Sequence, residues 1–176
     1  MGQAKDFTLT TFGLVIAYFL PGILMLYGGA FWDKRIADVF KIFRGSESNL
    51  GLFLMVLSAA LTVGLVLTPF RSLIYEEIIW RNRRLKKEDF RKLTDERKLD
   101  SFRTLVDEQY RYHMFWGSSS LAVIPLASAF IRSSYLESSG RGLLSVLSCL
   151  AVEAVIVWSA IEAYKRYVDR ARVILG

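Results

Sequence analysis

The chain has 176 residues, 53% of them hydrophobic, with 23 Lys and Arg against 17 Asp and Glu, one His and one Cys. The lone Cys149 excludes an intrachain disulfide, and the lone His113 excludes a His-rich metal site. The net charge of +6 would suit nucleic acid in a soluble protein, but here the apolar residues gather in four blocks with the charges between them. Lys and Arg facing anionic lipid heads are the better account, and nucleic acid is not the expected partner.

Residues 1–6 form a short polar leader. Asp6 stands where a myristoylation signal wants Ser or Thr. A single Lys5 before an over-long apolar run is not the pattern of a cleaved signal peptide. Residues 7–32 carry no charge, which is more than the ~20 residues a crossing needs. The first transmembrane helix is predicted over residues 9–29, kinked at Pro21. In the connection 33–47, Ile36, Val39, Phe40 and Phe43 follow the spacing of one helical face, with Lys34, Arg35, Lys41 and Arg44 among them. An amphipathic helix results, lying on the membrane or packed on its own protein. Residues 50–70 are again free of charge and predict the second crossing, where Ala60 and Gly64 give a weak small-xxx-small signal.

The insert 71–113 holds 12 of the 23 basic residues and nine acidic ones, with neither Gly nor Pro. Its basic run comprises Arg81, Arg83, Arg84, Lys86 and Lys87, candidates for lipid headgroups or a protein partner. Intermittent apolar positions predict two helices that continue crossings 2 and 3 as an antiparallel stalk, with a break near residues 94–100. Tyr110, Tyr112, Phe115 and Trp116 predict an interfacial aromatic belt where the chain re-enters lipid. Residues 114–132 and 142–164 predict crossings 3 and 4, followed by a tail with Lys165, Arg166, Arg170 and Arg172. The expected fold is therefore an all-α integral membrane protein: four transmembrane helices with a cytosolic helical hairpin or stalk between helices 2 and 3. Its parts are hairpin 1–70, insert 71–113, and hairpin 114–176. Four crossings put both termini and the insert on one side, with 17 basic residues against six opposite. The positive-inside rule makes that side cytoplasmic, in a bacterial-type inner membrane.

Glu153 sits mid-way along helix 4, where a carboxylate costs several kcal/mol unless paired, hydrated or neutralised. Ser145, Cys149 and Glu153 recur every four residues and form a polar stripe that either lines a pore or bonds neighbouring helices. His113 and Cys149 are expected to be structural. No phosphate loop, HExxH, CxxC or Ser-His-Asp set is present, so neither an enzyme nor a cofactor is expected. The leading expectation is a homo-oligomeric scaffold, sensor or effector subunit that binds a soluble cytosolic protein through the insert. A stress or phage-defence system would be one setting. The rival is an oligomeric ion channel lined by the helix 4 stripe.

Overall fold

The structure is a computed structural model; it describes residues 13, 15–44, 50–81, 85, 87–91, 95–137 and 139–175. The described residues are helical almost throughout, without a strand. Helix α1 runs over Val15–Gly29, α2 over Lys34–Arg44, α3 over Leu50–Ile79 and α4 over Lys87–Phe90. Helix α5 spans Glu96–Leu105 and passes through a π-helical turn, Val106–Tyr110, into α6 (Arg111–Glu137); α7 is Ser139–Leu175. Three helices are long and apolar enough to cross a membrane, or four if the bent pair α1–α2 counts as one span. Their outward residues agree with lipid contact. Leu54, Leu61, Leu65, Leu147, Leu150 and Val155 are all exposed, and a water-soluble chain of this size does not present such continuous apolar faces.

Two of the prolines sit beside widened backbone. The π-helical turn Val15–Phe19 directly precedes Pro21, and the π-helix Ser72–Ile79 follows Pro69. Proline removes a donor and crowds the turn before it, so the widened turn ahead of Pro21 absorbs that disturbance, whereas Ser72–Ile79 lies beyond the turn that Pro69 crowds. The α1–α2 bend of 114° turns the amphipathic segment away from the direction of α1. Asp33 caps the new helix by accepting from the Arg35 N–H at 2.7 Å, and Trp32 Nε1 pins the elbow to the Pro125 carbonyl of α6 at 2.9 Å.

Helix α6 is the hub, touching α1, α3 and α7. On the facing side of α3, the small-xxx-small pair has a definite use. Gly64 lies against the Tyr18 carbonyl and Gly22 against the Ala60 carbonyl, so a Cβ on either glycine would strike backbone. α6 and α7 run antiparallel in a register set by two contacts. His113 Nδ1 bonds the Ala160 carbonyl at 3.0 Å, and Cys149 Sγ approaches the Ala127 carbonyl at 4.0 Å.

The insert keeps part of the expected stalk, since α3 continues past residue 70 and α5 runs on into α6, but its pairing differs. Helix α3 stops at Ile79, and the partner of α5 is the far end of α7. Trp80, Leu105, Tyr164, Tyr167, Val168, Ala171 and Leu175 form one buried cluster, with Phe102 and Ile174 packed against it. The reason lies in the segment after residue 164. Tyr164, Tyr167, Val168, Ala171 and Leu175 follow the i, i+3, i+4, i+7, i+11 spacing of a core-facing stripe, which continues α7 through the expected basic tail. A helix of 37 residues is about 55 Å long, against a hydrocarbon core of about 30 Å. The excess supplies the wall on which the insert folds.

Candidate functional site

The densest polar chemistry lies where α3, the insert, α6 and α7 meet. Arg71 ends the α-helical part of α3 with its side chain only 2% exposed. Its Nη1 is 3.2 Å from Glu76 Oε1, and its Nη2 donates to the Tyr110 hydroxyl at 3.4 Å. The Tyr110 hydroxyl in turn donates to Glu76 Oε1 at 3.0 Å, while the guanidinium lies 5.5 Å from the Tyr110 ring centre. Three groups thus close a triangle of one ion pair and two charge-assisted hydrogen bonds. Local backbone makes this possible. In an α-helix, residues five apart diverge by about 140° around the axis. The π-helix Ser72–Ile79, closed by the Trp80 N–H on the Tyr75 carbonyl, brings Glu76 back beneath Arg71. Gly117 of α6 provides the space: a Cβ there would lie 2.8 Å from Arg71 Cγ.

His113 is fully buried beside this triangle. Because a carbonyl only accepts, Nδ1 carries the proton donated to Ala160. Nε2 faces Glu76 Oε1 at 3.9 Å, beyond hydrogen-bond reach. The rings of Tyr164, Tyr75 and Tyr110 surround the imidazole at 4.7, 5.8 and 5.9 Å. Two turns along α6, Ser120 donates to the Gly117 carbonyl at 2.9 Å, so the Tyr75 hydroxyl donates to Ser120 at 2.7 Å. Burial pushes the Tyr110 phenol above its ordinary value of 10, with Arg71 pulling the other way.

The stripe on α7 faces inward. Ser145 is buried, Cys149 meets the Ala127 carbonyl, and the α6–α7 register sets Glu153 near the level of Ser120 and Tyr75. Glu153 Oε2 is buried without a hydrogen-bond partner among the described residues. The expected belt divides in two. Tyr112 is exposed and Phe115 stacks edge-on with Trp116 at 4.9 Å, whereas half-buried Tyr110 turns inward onto Arg71 and Tyr167. Of the basic run, Arg81 is exposed and Lys87 begins α4; Arg83, Arg84 and Lys86 lie outside the described residues.

Arg71, Glu76, Tyr75, Tyr164 and Tyr167 do not stand out in the sequence. Arg71 reads as the exit into water, and an i, i+5 pair carries no signal on an α-helix. One hint exists: Arg71 follows a charge-free block and an acid stands within reach at Glu76. Among the described residues no group of His, Cys, Asp and Glu is arranged to hold a metal. The arrangement joins the end of α3 to the turn entering α6 through Tyr110, and α6 to α7 through the His113–Ala160 bond. Comparison of the chain with protein-family models, with curated proteins and with solved structures gives no match.

Proposed function

We propose that the chain is a four-crossing membrane subunit, with termini and insert cytosolic, that acts as a scaffold or sensor for a soluble partner. The observation that carries this reading is the Arg71–Glu76–Tyr110 triangle with His113 beside it. Tyr110 ties the turn that leads into α6 to the end of α3, and His113 ties the start of α6 to α7, so a load on the insert is felt in the bundle and the reverse. The outward face of α5, with Glu96, Arg97, Asp100 and Arg103 exposed, is the surface offered to a partner. Positive-inside counting supports the orientation.

A channel lined by Ser145, Cys149 and Glu153 is the second reading. The unpartnered Glu153 Oε2 favours it, and the packing of the same stripe against α6 inside one protomer weighs against it. Site-specific photocrosslinkers at Arg97 and Arg103 in inside-out vesicles test the first reading. One cytosolic protein should crosslink with the intact chain, be lost on reversing Asp100 and Arg103, and persist in Glu153→Gln. Ion conductance in planar bilayers that disappears in Glu153→Gln would instead establish the channel.

A further inference from the structure

Helix α2 leaves α1 at the Trp32 elbow and packs closely on no other helix among the described residues. The elbow stands where two neighbouring surfaces change character. Residues 7–32 and 114–131 carry no charge, and Asp33 and Arg132 are the first charged residues beyond them. The Arg132 guanidinium lies 5.4 Å from the centre of the Trp32 ring, whose Nε1 donates to the Pro125 carbonyl. An indole held at such a boundary suits headgroup depth, where its apolar body and polar edge are both satisfied.

From there the bend of 114° carries α2 past a right angle by 24° (114 minus 90), so the helix follows the boundary and slopes back toward the depth of α1. Its faces are sorted to match. At helical pitch Ile36, Val39 and Phe40 share an arc of about 100°, and Lys34, Asp38 and Lys41 take the opposite side. The Phe40 ring meets Tyr27 of α1 edge-on at 5.8 Å, and a Cβ on Gly29 would lie 3.4 Å from Ile36 Cδ1. The apolar arc therefore lies on the inner side of the elbow, facing the layer that α1 crosses. Between the two helices a cleft of about 270 Å³ stays open, lined by Tyr27, Ala30, Phe31, Ala37, Phe40 and Lys41. Phe31 is 57% exposed, and the Lys41 ammonium is paired with Asp38 at 3.1 Å, so the cleft offers hydrocarbon rather than a free charge.

We propose that α2 is a membrane-surface helix, seated on one leaflet with its apolar arc among the acyl chains and the cleft beside α1 filled by lipid hydrocarbon. The arc continues the charge-free surface of α1, the charged side is turned away from it, and the slope of the bend carries the arc inward. Helices seated in this way bury the apolar face by about 5–10 Å. The inference rests on the chain lying in a membrane; it needs neither the cytosolic partner, the channel nor the assignment of sides.

The test uses single nitroxide labels on the full chain in a Cys149→Ser background, reconstituted into phosphatidylcholine bilayers, with collision rates for oxygen and for a water-soluble nickel chelate. Val39→Cys and Asp38→Cys are sequence neighbours on opposite sides of α2. The label at 39 should lie about 10 Å deeper than the label at 38, the diameter of a helix. The label of exposed Phe31→Cys reads the cleft with little packing lost, and it should collide with oxygen several-fold more than with nickel. Leu65→Cys on α3 reports separately that the bundle lies in the bilayer. With position 65 in lipid, equal depths at 38 and 39, or nickel reaching 31 and 39 freely, overturns the proposal. Position 39 shielded from both reagents also overturns it: dipolar coupling between labels on two chains would assign the arc to a second copy, and its absence would assign it to the chain's own packing.

Discussion

Arg71 is the residue on which most of the interior depends. A buried guanidinium is tolerable only when its partners are in place, and Glu76 and Tyr110 are both within 3.4 Å. Removing one member of such a pair strands the other, typically at about 3–5 kcal/mol. Arg71→Met should therefore lower bundle stability by about 3 kcal/mol, and adding Glu76→Gln should restore most of it. Denaturation in mixed micelles, read by circular dichroism, checks both. Gly117→Val should cost about 1–3 kcal/mol by forcing Arg71 aside, although residue 117 carries no polar group. Tyr110 adds a pH dependence. Its folded-state value lies above the ordinary 10, so its contribution is present below pH 10 and is lost as pH rises through that raised value. Stability should be flat from neutral pH to about 10 and fall above it, and Tyr110→Phe should reduce that fall.

At the scale of elements, the π-helix Ser72–Ile79 is the informative feature. A π segment behaves as one extra residue accommodated in an α-helix. Deleting exposed Ile78, which keeps Arg71 and Glu76 five residues apart, should return the segment to α-helical pitch and swing Glu76 away from Arg71. Amide hydrogen exchange should then show α5 and the Val106–Tyr110 turn losing protection while α6 keeps its own; equal protection in both chains would refute the role given to the π turn. This element also marks the limit of what sequence reveals. The apolar blocks of α3, α6 and α7 are legible because lipid imposes a length and excludes charge. The inward stripe of Ser145, Cys149 and Glu153 is legible because helical spacing gathers it on one face. The Arg71–Glu76 pair is hidden because its spacing fits no α-helical neighbour rule, and only a local change of pitch makes it a pair. The stripe from Tyr164 to Leu175 is readable in principle, but the four basic residues interleaved with it give the segment the look of a solvated tail.

For the whole molecule, the mismatch between the length of α7 and the lipid thickness divides labour along one continuous rod. The part from Leu143 to Trp158 presents exposed apolar residues, and the part from Tyr164 to Leu175 carries the cluster that seats Trp80 and α5. Ending the chain after Lys165 should leave the crossings inserted but strip the insert of four of its buried partners, Tyr167, Val168, Ala171 and Leu175. Limited proteolysis should then cut within 87–104 rapidly while the membrane-embedded fragments persist.

The short separation between Arg71 and Glu76 also matters while the protein is being made. Tyr110 lies 39 residues beyond Arg71, a delay of about 2–8 s at ordinary rates of synthesis. Glu76 follows after only five residues, and it is held by backbone pitch rather than by distant packing. The nascent second crossing therefore carries its own counter-charge on leaving the ribosome. The arginine has its counter-charge in the chain long before the helices that finally bury it have been translated.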